Sequence, residues 1–198
     1  MDTESRLRHA QAAGFFVAGE PLAVDLADTI ITVQDPHADL LADEAACRNW
    51  WELQRDRLPT GAAPPPLAPT IALRDAARDI LDAQLTAARP SAAAVDLVND
   101  VASRAAATRR LVPSPSGWGA LTEWHAPTGR PHDIALAVVA DSLIDLLVGP
   151  ALGRLRRCHN PACSMLFVAS DARRKFCTQN ICANRTRVAR HYRRHRAD

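Results

Sequence analysis

The chain has no hydrophobic run long enough to cross a membrane. Its longest apolar stretch, over 134–148, is interrupted by Asp141, Ser142 and Asp145, and so predicts a buried helix of a soluble domain. A secretory leader is also missing: residues 1–19 mix charges (Asp2, Glu4, Arg6, Arg8) without an apolar core, and the cytoplasm is the expected location. There is no glycine-rich phosphate loop, no His-Glu-x-x-His pair and no serine or cysteine in a nucleophile motif, so no enzyme is expected. Asp25 and Asp28 form the best acidic pair, but their apolar setting suits a strand-end or capping role better than acid–base chemistry. No internal repeat is visible.

With 198 residues, 47% of them hydrophobic, the chain can build one ordinary domain and a small appended module. The composition shifts at Gly149-Pro150, which predicts domains at 1–150 and 151–198. The net charge of +2 conceals an asymmetry: residues 150–198 carry a balance of +10, and residues 1–149 a balance of −8. A positive field of that density attracts polyanions, nucleic acid first among them; the alternative is a solvated basic tail.

The expected class is α+β, with a mainly helical N-terminal domain carrying a few short strands. Phe15-Phe16-Val17 and the alternation of Leu22, Val24 and Leu26 predict two short strands about a turn. Asp43 caps a predicted helix over 43–55, whose Cys47, Trp50, Trp51 and Gln54 share one side, so that Cys47 is a core thiol. The proline-rich stretch 61–69 is a connection. A helix over 70–89 buries Leu73, Ala77, Ile80 and Leu81, with Arg74, Asp75, Arg78 and Asp79 facing away, and stops at Pro90. A second helix is predicted over 91–110, a strand over 118–124 and a last helix over 132–148.

Four of the five cysteines form two matched pairs, Cys158-x4-Cys163 and Cys177-x4-Cys182. Two short loops of this kind supply a tetrahedral zinc site without a large scaffold. Two disulfides or four unrelated thiols are the alternatives, and a reducing cytoplasm favours metal. The expectation is one structural Zn2+ per chain held by Cys158, Cys163, Cys177 and Cys182, a closed set with no open position for catalysis. His159, His191 and His195 are then surplus. Cys158 to Cys163, stiffened by Pro161, reads as a zinc knuckle; 165–168 and 173–176 suit a hairpin, and 184–196 suits a helix with the last ligand near its start. Knuckle, hairpin and helix make a treble clef. Arg185, Arg187, Arg190, Arg193, Arg194 and Arg196 surround that helix, which therefore needs anions; Arg187 and Arg190 are the candidates for base contact.

The tetrapeptide Cys182-Ala183-Asn184-Arg185 resembles the signature of the CGNR zinc finger family. Upstream, Phe15 to Gly19, Leu22 to Thr29, the helix with Trp50 and the apolar helix running into Arg156-Arg157-Cys158 resemble the ABATE domain that accompanies this finger. Ala183 stands where the family has Gly, Phe176 where it has Trp, and Asp28 where it has Asn. The resemblance implies a stress-induced transcription regulator with DNA as its partner. A homodimer would present two arginine helices to two half-sites, and a small-molecule effector would act through the N-terminal domain. An adaptor binding RNA or a protein is the second expectation, and an enzyme with its pocket in the N-terminal domain the third. No membrane partner is expected.

Overall fold

The computed structural model describes residues 8, 10, 12–15, 19–33, 36–178 and 182–184. Five α-helices and three two-stranded antiparallel sheets make up the described part, an α+β arrangement dominated by helix. The order is α1 (Leu22–Ala27), β1 (Ile30–Ile31), β2 (Ala38–Asp39), α2 (Glu44–Leu53), α3 (Leu67–Thr86), α4 (Ala92–Ser103), β3 (Ala106–Ser114), β4 (Gly117–His125), α5 (Pro131–Val148), β5 (Leu155–Arg157) and β6 (Leu166–Val168).

Local chemistry accounts for most helix ends. Asp43 accepts the Ala46 amide at the start of α2, Ser91 accepts the Ala94 amide at the start of α4, and Pro131 opens α5, where its missing N–H costs nothing. The Glu44 carboxylate takes the Leu67 amide, which starts α3 three residues before the predicted position. That helix ends at Ala87, which sits in the left-handed region at φ 53, so the stop precedes Pro90. Asp79 then accepts both the amide and the hydroxyl of Ser91 and fastens the turn into α4.

The core lies where α1 meets α3 and α5, with α4 alongside. Cys47, Trp50 and Trp51 enter it from α2; the two indoles meet edge to face at 4.8 Å, and Trp51 Nε1 donates to Thr70 Oγ1 at 3.1 Å. The same core takes in Leu155 of β5 and Leu166 of β6, so the C-terminal cysteine region is rooted in it.

Four predicted features are corrected. Residues 22–27 form a helix, not a strand; all six are buried, so no solvent face imposes a helical period on the sequence. Residues 106–110, predicted to continue α4, are instead the start of β3, which runs in unbroken register with β4 from Ala106↔His125 to Ser114↔Gly117; strand pairing overrides local helix propensity there. Pro113 is tolerated because both strands of this hairpin are edges. Strand β6 pairs with β5, Leu155↔Val168 and Arg157↔Leu166, so the first cysteine loop is the hairpin's turn; residues 173–176 form no strand. Finally, Arg74 and Arg78 do not face away. They are 2% and 6% exposed, and ion pairs accompany them inward.

Candidate metal centre

Strands β5 and β6 bring Cys158 and Cys163 together at their connecting loop. Cys158 donates its amide to the Met165 carbonyl at 2.9 Å, while the Cys163 amide donates to the Asn160 carbonyl at 2.9 Å. The Asn160 side chain closes the turn by accepting the Ala162 amide at 3.1 Å. This is a tight knuckle held by backbone bonds. The second loop is bound to the first through the His159 amide and the Lys175 carbonyl, 3.0 Å apart. Residues 182–184 have helical backbone, and Thr178 accepts the amides of Cys182 and Ala183.

The four sulfur atoms of Cys158, Cys163, Cys177 and Cys182 all lie within 4.8 Å of one another. Cys163 and Cys177 are 3.8 Å apart, and Cys177 and Cys182 are 3.5 Å apart. A tetrahedron with metal–sulfur bonds of about 2.3 Å has sulfur–sulfur edges of about 3.8 Å, and disulfide sulfurs sit at about 2.05 Å. None of the four cysteines is in a disulfide, and two of them, Cys158 and Cys182, are buried. The spacing therefore fits a tetrathiolate metal site and excludes the disulfide alternative.

The electrostatics agree. Hydrogen bonds from Cys163 and Cys177 hold the Cys158 thiol down at about 2, the bond to Cys158 pushes Cys163 up to about 12, and Cys177 is pushed up by its bonds to Cys158 and Cys163. Thiols packed this closely compete for charge. A divalent cation relieves the competition by facing every sulfur at once.

His159 is not part of this cluster; its ring packs edge-on against Phe176, 6.5 Å between centroids. His191, His195 and Arg185, Arg187, Arg190, Arg193, Arg194 and Arg196 lie outside the described residues, as does the predicted helix over 184–196 beyond its first position. Cys47 is buried in the upstream core, where burial pushes its thiol up.

The residues that join this module to the rest of the fold were not legible as such. Asp28, 0% exposed, accepts the Leu166 amide with both carboxylate oxygens, at 3.0 and 2.8 Å. Burial pushes the Asp28 carboxyl up, and the Arg78 guanidinium and that amide pull it back. Arg78 also donates to the Ser164 carbonyl at 2.9 Å. Asp25 is buried beside Arg57, and desolvation raises it to about 6 against the pull of that guanidinium. A strand-end or capping role is the expectation for Asp25 and Asp28; Asp28 instead accepts the first amide of β6, in the finger, 138 residues away. The only signal for Arg78 in the sequence was its spacing of four from Asp82, its ion-pair partner at 2.9 Å.

A mainly helical core that takes in Leu155 and Leu166 and runs on into a four-cysteine cluster defines the class: a helical fold carrying a zinc-finger-type site. Residues 20–150 match the ABATE family, described as "Putative stress-induced transcription regulator", and residues 154–195 match the CGNR zinc finger. The chain belongs to the ABATE family, whose match spans more than half of it. Both matches are to regulator and zinc-finger families, not to an enzyme family, and the CGNR finger with its clustered cysteines holds one structural zinc ion. No curated protein sequence matches the chain. No helix among the described residues is long and apolar enough to cross a membrane.

Proposed function

We propose that the protein is a cytoplasmic DNA-binding transcription regulator, divided into a regulatory part at 1–150 and a treble-clef finger at 151–198. Cys158, Cys163, Cys177 and Cys182 are the zinc ligands, and Arg185, Arg187, Arg190, Arg193, Arg194 and Arg196 contact the nucleic acid. The observation that carries this reading is the convergence of four thiols within 4.8 Å, in a stretch of sequence, 150–198, whose charge balance is +10. A closed tetrathiolate site organises a fold and does no chemistry. The arginines that follow it supply the phosphate contacts. The regulatory part is tied to the finger through Asp28 and the Leu166 amide, so a ligand of one part can reach the other.

The test is fluorescence anisotropy of the zinc-loaded chain with duplex DNA across a salt series. Each phosphate contact should steepen the slope of log affinity against log salt by about 0.9, and each lost arginine contact should reduce it by about one unit. Loss of a base-reading residue, for which Arg187 and Arg190 are the candidates, should cost roughly 1–3 kcal/mol on the preferred site alone. Binding to RNA in preference to DNA, or to neither at low salt, would replace this reading with the adaptor.

A further inference from the structure

The amides of Leu166 and Val168 point away from β5, on the open edge of β6. Both are taken by carboxylates of the N-terminal region: Leu166 by Asp28, and Val168 by Glu20 Oε2 at 2.8 Å. The other Glu20 oxygen, Oε1, pairs with Arg174 Nη2 at 2.7 Å, and both side chains are mostly buried, 13% and 23% exposed. Arg174 is the residue on which the second cysteine loop turns. Its Nη2 donates to the Cys177 carbonyl at 2.8 Å, its Nη1 to the Val168 carbonyl at 3.2 Å, and its Nε to the Phe176 carbonyl at 3.3 Å. The guanidinium also lies 4.5 Å from the centroid of the Phe167 ring.

Every nitrogen of this guanidinium is therefore committed, and its planar fork joins two backbone segments and one carboxylate that must hold still together. One segment carries Cys177. A second is β6, which roots the first knuckle in the core. The partner that fixes the fork, Glu20, comes from the other end of the chain, and its own carbonyl accepts from Arg57. We infer that Arg174, clamped by Glu20, is a positioning residue for the metal: it sets the Cys177 loop at the distance from the Cys158–Cys163 knuckle that a tetrahedral site requires. The N-terminal region thus takes part in metal binding without supplying a ligand. A cationic group beside Cys177 also suits a centre of four thiolates and one divalent cation, whose formal charge is 2−.

The inference rests on the four-cysteine ligand set proposed above, and the experiment separates the two. Zinc affinity of the full chain is measured by competition with a chromophoric chelator, alongside the ligand-field spectrum of the Co2+-loaded protein. Glu20→Gln, which keeps an acceptor for the Val168 amide, and Arg174→Gln should each weaken zinc binding by about 10–100-fold and alter the Co2+ spectrum, as loss of a supporting shell does. Arg174→Lys should fall between them and wild type, because it restores charge without the fork. Arg173→Gln, at a side chain 96% exposed, should stay within about twofold of wild type by the small effect of surface charges. A merely structural role would lower the unfolding midpoint equally with and without zinc, whereas positioning lowers chiefly the increment that zinc adds. Should Arg174→Gln fail to fold, Glu20→Gln carries the test. Zinc affinity within about twofold of wild type for Glu20→Gln overturns the inference, and so does an equal loss of stability in the zinc-free and zinc-loaded forms. A wild-type chain that takes up no zinc overturns the ligand set itself.

Discussion

Replacing Arg78 with methionine keeps its aliphatic stem and removes the guanidinium from a site where only 6% of the residue meets solvent. The deletion strands several acceptors at once. Asp28 Oδ1 loses a partner at 3.3 Å and the Ser164 carbonyl one at 2.9 Å, while Asp82 loses an ion pair at 2.9 Å. Asp82 keeps Arg157 at 2.7 Å and is partly exposed, so its loss is minor. The large term is Asp28, whose buried carboxyl, already pushed up by desolvation, loses the guanidinium that pulls it back and keeps one amide. Breaking a buried pair on one side costs about 3–5 kcal/mol. For a chain of this size each kcal/mol is worth about 2–4 °C, so the melting temperature should fall by roughly 6–20 °C. Adding Asp28→Asn to Arg78→Met removes the buried ionisable group but keeps an acceptor for Leu166, and should return on the order of 1–3 kcal/mol. The assay is urea unfolding of the zinc-loaded protein, followed through the fluorescence of the buried Trp50 and Trp51. A cost for Arg78→Met below about 1 kcal/mol, or no relief from the second substitution, would refute the argument that this pair fastens the finger to the helical core.

Asp25 gives a pH-dependent prediction. Its pKa is raised from 3.8 to about 6 in the fold, so the native state binds the proton more tightly than the unfolded chain and stability falls as pH rises through that window. Between pH 4 and pH 7 the wild type should lose on the order of 2–3 kcal/mol relative to Asp25→Asn, read from urea midpoints at each pH. Zinc analysis should return one ion per chain, unchanged in Cys47→Ser and lost or strongly weakened in Cys163→Ser. Chelation should raise hydrogen exchange in residues 158–163 and 169–178 while Leu155 and Leu166, packed in the common core, stay protected; uniform loss of protection would show that the hairpin depends on the metal. Ala87→Gly should stabilise by about 0.5–1 kcal/mol in thermal melts, since Ala87 holds φ 53 at the end of α3.

The features legible in the sequence are those fixed within a few residues. Two cysteine pairs at matched spacing, the cap at Asp43, the burial of Cys47, Trp50 and Trp51, and the strand running to Trp124 all depend on local chain geometry. The charge asymmetry is a property of composition and needs no fold. What the tertiary structure decided depends on partners that arrive from far along the chain. Helix α1 is buried on every side, and a segment with no wet face leaves no period to read. Arg74 and Arg78 look solvent-facing because charge belongs in water until a carboxylate is delivered to it, here from Asp39 and Asp28. The sequence predicts a returning strand on the open edge of β6, but an amide N–H donates to any well-placed oxygen. Glu20 and Asp28 supply it from the other end of the molecule, and only packing of the finger onto the helical core brings them there.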